Sequence, residues 1–97
     1  MDVRFEQNGN LFMWNAEKAE SNWRKHRVRF EEAASVFGDP LLLLVNASRN
    51  DEARDAAIGF DATGRLLYVV HVEFELEFIR LISARRATAE EEIRYAD

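Results

Sequence analysis

Regular alternation of apolar and polar residues predicts strands in the second half of the chain. The segments "RLLYVVHVEF" and "EFIRLIS" are rich in branched and aromatic residues, which favour extended backbone. Two further runs, "LLLLVN" and "ARDAAIGF", indicate shorter strands before them. Asp61-Ala62-Thr63-Gly64 has the composition of a turn. The pattern therefore predicts an antiparallel meander after Pro40.

The first thirty residues predict a hairpin that is followed by a helix. Asn8-Gly9 separates two short apolar runs in "VRFEQNGNLFMW", as is usual for a tight turn between strands. Asn15 is placed to cap the helix "AEKAESNWRKH", whose apolar residues recur at helical spacing. Lys18, Asn22 and Lys25 fall on a neighbouring face of this helix, and their polarity predicts that the face contacts solvent.

Two more helices are predicted, one on each side of the strands. The segment "FEEAASVF" has apolar residues at helical spacing, and Gly38-Asp39-Pro40 ends it. Thr88 and Glu91 have the spacing of a capping box, which predicts a short C-terminal helix through Tyr95. Helices followed by a meander define an α+β domain in which the helices pack on one face of an antiparallel sheet. We therefore expect a single domain over residues 1–97, with the other sheet face partly open.

The composition limits the chemistry and the location of the protein. The 97 residues contain no cysteine, which excludes disulfides, thiolate metal sites and cysteine nucleophiles. His26 and His71 are the only histidines, too few for a structural zinc site, and no cofactor motif is present. The longest apolar run, Leu41 to Val45, is far too short to span a bilayer. Because a signal-peptide pattern is also absent, we expect a cytoplasmic protein without a metal or cofactor.

Charge is distributed unevenly along this acidic chain. The net charge is −5, yet residues 15–30 carry five basic against two acidic side chains. Residues 31–78, in contrast, carry ten acidic against three basic ones. General nucleic-acid binders have broad positive charge, so direct binding of DNA by this chain is not expected. The pattern is compatible with one local phosphate site or with a basic protein partner.

Charged residues on and after the long strands are candidates for a phosphate site. Alternation places His71 and Glu73 on one strand face, and Arg80 would join them if the strand register allowed it. Arg80, Arg85 and Arg86 occur within seven residues, and arginine matches the geometry of phosphate or carboxylate. Such a cluster could cleave RNA without a metal, with Glu or His as base and acid and arginine stabilising the transition state. Structural cross-strand pairs would use the same residue types.

Three segments occur in an order that is shared with a known family. They are "WNAEKAESNWRKHRVRFEEAASVFGDP", "EARDAAIG" and "IRLISARRATAEEEIRY", and they span most of the chain from Trp14 to Tyr95. These segments resemble the BrnT family, the ribonuclease toxins of bacterial type II toxin–antitoxin modules. The resemblance implies a compact RelE-like α+β fold and metal-independent cleavage of RNA by 2′-OH attack. It also implies a cognate antitoxin of the ribbon-helix-helix type, similar to BrnA.

The resemblance also implies where the polar site residues lie. By motif position they are Lys25, His26, Arg54, Glu73, Arg80 and Arg85. The chemistry of RNA cleavage would make His71 or Glu73 the base or acid. The guanidiniums of Arg54, Arg80 and Arg85 would then bind phosphate. Lys18, on the same helix as Lys25 and His26, would add to RNA binding.

Two departures from the family pattern suggest a second function. Phe74 follows Glu73 where the family often has arginine, and acidic Glu75-Leu76-Glu77 stands where a glycine-bearing turn is common. Losing a cation and gaining carboxylates weakens a phosphate site. The alternative is therefore a relative with little or no nuclease activity that acts as a protein-binding regulatory module. Simple RNA binding without cleavage is a third reading, which the net acidity disfavours.

Overall fold

The computed structural model describes residues 1–75 and 77–97, and these residues form six strands and three helices. In chain order the elements are β1 (Asp2–Gln7), β2 (Asn10–Asn15), α1 (Ala16–His26), α2 (Phe30–Ser35), β3 (Leu43–Asn46), β4 (Asp55–Phe60), β5 (Leu66–Phe74), β6 (Phe78–Arg86) and α3 (Ala89–Ala96). A 3-10 turn, Val36–Gly38, follows α2. The predicted α+β class is confirmed. The expected turn between β5 and β6 includes Leu76, which lies outside the described residues.

The six strands form one mixed sheet in the order β1-β2-β6-β5-β4-β3. Neighbouring strands run antiparallel except β2 and β6, which are parallel where Phe12 lies beside Ile79 and Met13 beside Arg80. The prediction of a wholly antiparallel sheet is wrong at this pair. Alternation identifies a strand but not its neighbour, and here the N-terminal hairpin lies against the last strand of the chain.

Local signals explain how the first hairpin and helix form. Asn8 and Gly9 both have positive φ, 52° and 79°, so they make the two-residue turn that matches the twist of paired strands. The side chain of Asn15 accepts a hydrogen bond from the Lys18 N–H at 3.0 Å, which caps α1 as predicted. Arg27, with φ of 57°, adopts the left-handed conformation that ends the helix.

The hydrophobic core lies between one sheet face and the first two helices, both of which contact β6. Trp14 from β2 and Phe30 from α2 meet edge to face with ring centroids 5.7 Å apart, and both are buried. Burying a side chain of this kind contributes on the order of 1.5–3 kcal/mol. Among the described residues, no helix is long and apolar enough to cross a membrane.

The third helix lies on the other side of the sheet from this core. Tyr95 of α3 packs edge-on against Phe60 at the end of β4, with ring centroids 5.4 Å apart. The Tyr95 hydroxyl also donates a hydrogen bond to the carboxylate of Asp39. Strand alternation places Tyr68 and Val70 of β5 on the same side as Phe60. We call this side of the sheet the open face.

A buried aspartate organises the turn between β4 and β5. The carboxylate of Asp61 accepts hydrogen bonds from the backbone and hydroxyl of Thr63 and from the backbone and guanidinium of Arg65. Arg65 in turn donates to the Arg27 carbonyl at 3.0 Å and pairs with Glu32 at 2.9 Å. The turn is thereby connected to both N-terminal helices. Burial raises the pKa of Asp61, but the hydrogen bonds from Thr63 and Arg65 outweigh it and the pKa is lowered.

We expect the Asp61 network to make stability depend on pH. A carboxyl whose folded-state pKa lies below its unfolded value stabilises the fold above the unfolded pKa, and this stabilisation is lost as the pH falls through the folded pKa. The free energy of unfolding in urea should therefore fall as the pH is lowered below the unfolded pKa of an aspartate and through the lower folded pKa of Asp61. Asp61→Asn should lower it by roughly 2 kcal/mol at neutral pH and flatten the dependence. The exposed Asp51→Asn variant is the control, and an equal slope in both variants would contradict the prediction.

Candidate functional site

Past the end of its pairing with β2, strand β6 lies beside α1. Two shallow depressions meet at this part of β6, and Ser83 lines both of them. Six side chains that carry or can carry positive charge line the combined surface, which we call the basic groove: Lys18, Lys25 and His26 in one half, and Arg49, Arg54 and Arg85 in the other. No aspartate or glutamate lines either depression among the described residues. The groove therefore concentrates positive charge on an acidic chain, as a local polyanion site requires.

Asn22 holds the helical half of the groove against the strand half. Its amide donates hydrogen bonds to the carbonyls of Ala84 at 2.9 Å and Val28 at 3.1 Å. Its oxygen accepts a hydrogen bond from the Ala84 N–H at 3.0 Å. Because β2 pairs with β6 only as far as Arg80, the Ala84 backbone lacks a strand partner on this side and the Asn22 side chain substitutes for one. The prediction that Asn22 contacts solvent is wrong, since its side chain is buried.

A β-bulge brings Ser83 and Arg85 onto the open face. Val70 pairs with Ser83 and His71 with Leu81, so Ile82 is an extra residue in β6. Without this insertion, Ser83 and Arg85 would follow Leu81 onto the core side of the sheet. Simple alternation along β6 would place Ser83 on the Leu81 side, and the bulge overrides it. The bulge is the reason that the strand supplies an arginine to the groove.

Arg85 is held on three sides. Its guanidinium carbon lies 4.2 Å from the centroid of the Tyr68 ring, and Nη1 and Nη2 donate to the two carboxylate oxygens of Glu91 at 2.8 and 2.9 Å. Nη1 also donates to the Arg86 carbonyl at 3.1 Å. The hydrogen bonds to Glu91 raise the pKa of Arg85, and those from Arg85 lower the pKa of Glu91 despite its partial burial. Both groups are thus charged at neutral pH.

The loop between β3 and β4 supplies the remaining two arginines. Asn50 and Asp51 both have positive φ and form a tight turn, and the backbones of Arg49 and Glu52 exchange two hydrogen bonds across it. This arrangement places Arg49 and Arg54 at the wall of the groove, where the Arg54 guanidinium also pairs with the Glu52 carboxylate. Sequence reasoning missed Arg49. An Asn-Asp turn between two arginines was the signal that could have identified it.

Three of the proposed catalytic residues are not brought together. His71 is 1% exposed, lies on the core side, and places Nδ1 3.1 Å from the Val69 carbonyl. Glu73 lies at the far end of β5, in a depression with Glu77 and the first hairpin. Arg80 pairs with Val72, on the opposite sheet face from His71, and its guanidinium binds Asp2 at 3.1 Å. The structure therefore places Arg80 on the opposite sheet face from His71, and none of the three side chains lines the basic groove.

The fold and the groove define a class: a small α+β domain with a local concentration of basic side chains. More specifically, the chain belongs to the BrnT family, because residues 14–91 match the model described as the ribonuclease toxin BrnT of type II toxin–antitoxin systems. The match confirms the resemblance found in the sequence. The members of this family are ribonuclease toxins, and their module type implies an antitoxin partner and an RNA substrate.

A solved structure supports the same fold. The chain is similar to the crystal structure of the Brucella abortus ribonuclease toxin BrnT, with a TM-score of 0.61 and 22% sequence identity. The match covers 77% of this chain and 92% of that one. A search of proteins with curated functions gave no sequence match. Among the described residues, no group of three or more His, Asp or Glu side chains is arranged to hold a metal ion.

Proposed function

We propose that this chain is a RelE-like endoribonuclease toxin that cleaves RNA in the basic groove without a metal. The observation that carries the proposal is the convergence of an exposed histidine with lysines and arginines from three separate elements. Cleavage within RNA needs a base for the 2′-OH, an acid for the departing 5′-oxygen, and cations at the phosphate between them. The groove contains each of these kinds of group.

In this proposal His26 transfers the protons and the cations bind the phosphates. The imidazole of His26 is exposed at the end of α1 and lines the groove together with Lys18 and Lys25. Imidazole is a base and, once protonated, an acid, so His26 can take the proton of the 2′-OH and then return it to the departing 5′-oxygen. Arg54 and Arg85 would stabilise the charge that develops on the phosphate. The geometry favours His26 for this role over His71, which is buried, and over Glu73, which lies outside the groove.

The partner in this proposal is a cognate antitoxin of the ribbon-helix-helix type. The family description implies an antitoxin but not its fold. A partner could neutralise the nuclease by placing acidic side chains over the basic groove, because complementary charge both attracts the partner and excludes RNA. The bacterial cytoplasm, where RNA and antitoxin are both available, is the compartment that this function requires.

A specific observation favours the alternative of a protein-binding regulatory module. Two of the groove's three arginines are already paired with carboxylates, Arg54 with Glu52 and Arg85 with Glu91. Each pair reduces the positive charge that is available to RNA. The alternative predicts that the protein binds its antitoxin but does not cleave RNA.

The test is incubation of the purified protein with a long structured RNA in the presence of EDTA. We expect wild type to cleave and the Arg54→Ala/Arg85→Ala variant to be roughly 10²–10³-fold slower, because each lost cation raises the transition-state energy. Arg24→Ala/Arg86→Ala is the matched control, since it removes two exposed arginines that do not line the groove. Intact RNA with folded wild-type protein would support the regulatory module.

The products report on the mechanism. Attack by the 2′-OH leaves a 2′,3′-cyclic phosphate on one fragment and a 5′-OH on the other, and RNA with 2′-O-methyl groups cannot react in this way. Cleavage of 2′-O-methyl RNA would contradict the proposed route even if the protein proved to be a nuclease.

A further inference from the structure

We propose that Glu91 is a positioning residue for Arg85, so that the C-terminal helix completes the phosphate-binding site. This inference deepens the proposed function and rests on it. Glu91 stands outside the groove lining, yet its carboxylate makes two short hydrogen bonds to the guanidinium of Arg85. Its side chain is 15% exposed, whereas that of Arg85 is 36% exposed. Glu91 therefore lies behind an arginine that is open to solvent.

The hydrogen bonds of Arg85 leave one edge of its guanidinium available. Both Nη1 hydrogens are used, by Glu91 and by the Arg86 carbonyl, and one Nη2 hydrogen is used by Glu91. The remaining donors, Nε–H and the second Nη2–H, make no hydrogen bond to residues 1–75 or 77–97. These two N–H groups lie on the same edge of the planar group and point in parallel. Such an edge binds two oxygens of a phosphate in bidentate fashion.

The orientation of this edge is set by three contacts at once. The Tyr68 ring packs against the plane of the guanidinium, and the Glu91 carboxylate accepts hydrogen bonds from Nη1 and Nη2. The Arg86 carbonyl accepts the second hydrogen bond from Nη1. An exposed arginine would otherwise sample many rotamers, and ordering it on binding would reduce affinity. Glu91 thus acts through Arg85 and does not itself contact the substrate.

Glu91 can hold Arg85 in place because α3 is anchored at both ends. At its start, the Thr88 N–H donates to Glu91 at 2.8 Å, and the Glu91 N–H donates to the Thr88 hydroxyl at 3.3 Å. At its end, the Tyr95 hydroxyl donates to Asp39, and this hydrogen bond raises the pKa of Tyr95 to about 12. Asp39 also accepts from the Phe60 N–H at 2.9 Å, so the contact reaches the sheet itself. The helix is therefore a rigid support for the carboxylate.

The opposite possibility is that Glu91 occupies the phosphate position and blocks the site. Glu91 binds the Nη1–Nη2 end of the guanidinium and leaves the Nε–Nη2 edge free, so it does not take the place of a phosphate on that edge. The geometry therefore favours positioning. A blocking carboxylate and a positioning carboxylate predict opposite effects of removing its charge.

The test is a double-mutant cycle with Glu91→Gln and Arg85→Ala. Glutamine can still accept the hydrogen bond from the Thr88 N–H, but it cannot make the charged, two-oxygen contact to Arg85. We expect Glu91→Gln to lower kcat by ~tenfold or more, because a misplaced donor stabilises the transition state poorly. We also expect it to weaken RNA binding by ~threefold, because Arg85 must then be ordered when RNA binds. In the Arg85→Ala background, Glu91→Gln should have no further effect. The affinity for a short, uncleavable 2′-O-methyl RNA is measured for all four proteins.

Thr88→Ala is the matched control. It weakens the same helix start as Glu91→Gln but leaves the pair between Arg85 and Glu91 intact, so kcat should remain close to wild type. Equal losses in Thr88→Ala and Glu91→Gln would overturn the inference, because Glu91 would then serve only helix stability. Faster cleavage or tighter RNA binding by Glu91→Gln would overturn it in favour of a blocking role. An undiminished effect of Glu91→Gln in the Arg85→Ala background would also overturn it.

The two proposals fail in distinguishable ways. If wild type cleaves RNA but the cycle shows no coupling, only the inference on Glu91 fails. If wild type binds RNA without cleaving it, the nuclease proposal fails, and the cycle is still read from the affinities for 2′-O-methyl RNA. A folded wild-type protein with no measurable affinity for RNA would overturn both.

Discussion

The His26→Gln variant is expected to cleave RNA at least ~100-fold more slowly than wild type, with its affinity for 2′-O-methyl RNA changed by less than ~threefold. Glutamine keeps a polar, hydrogen-bonding side chain at the end of α1, but it cannot exchange a proton at neutral pH. The expected loss is therefore in kcat and not in binding. Single-turnover cleavage and fluorescence anisotropy measure the two quantities separately.

Glu73→Gln is the informative comparison for this variant. Glu73 lies with Glu77 in the depression beside the first hairpin, away from the lysines and arginines of the groove. We expect Glu73→Gln to cleave at close to the wild-type rate. The reverse result, an inactive Glu73→Gln and an active His26→Gln, would place the reaction at the β5–β6 end of the sheet and contradict the assignment of the groove.

The Asn22→Ala variant is expected to lose roughly 3 kcal/mol of stability, because it leaves three buried backbone groups without their partner. These groups are the N–H and carbonyl of Ala84 and the carbonyl of Val28. The loss should appear as a lower urea midpoint with an unchanged slope. We also expect slower RNA cleavage at temperatures where the variant is folded, since Asn22 aligns the cations of α1 with Arg85.

Asn46→Ala is the control for Asn22→Ala, because Asn46 is exposed and its side-chain oxygen accepts one local hydrogen bond from the Ser48 N–H. Its effect on stability should stay below about 1 kcal/mol. Asn22→Asp separates the contacts further: aspartate can still accept from the Ala84 N–H but cannot donate to the two carbonyls. Stability of Asn22→Ala equal to that of Asn46→Ala would show that the three hydrogen bonds contribute little.

Short-range signals were sufficient to predict most of the elements. Asn8-Gly9 forms the predicted turn, Asn15 caps α1, and Thr88 with Glu91 forms the predicted capping box. Each of these contacts joins residues within a few positions, so the residues that decide it are all visible in one segment. The parallel pairing of β2 with β6 depends on segments from opposite ends of the chain, and alternation within either segment carries no information about it.

The candidate site was predictable only in part, for two physical reasons. The cations of α1 follow from helical spacing, but the burial of Asn22 depends on the free edge of a strand far along the sequence. The position of Arg85 depends on the bulge at Ile82, which reverses the alternation of β6 without any glycine to signal it. Tyr68 and Ser83 were missed because each belongs to the site only through its neighbours: Tyr68 packs against Arg85, and Ser83 lies between the two halves of the groove. His71 was predicted to be a base or acid from its residue type alone, but its surroundings are those of the core.

The hydrogen bonds between Asn22 and Ala84 join residues that are 62 positions apart, and they connect the two halves of the groove. A contact of this range cannot form until both segments exist, and closing the intervening chain costs conformational entropy. During synthesis the N-terminal segments leave the ribosome first, so the lysines of α1 are exposed well before β6 exists. A growing chain therefore has no assembled groove until its last strand has been made, and under the proposed function it cannot cleave the RNA that encodes it before then.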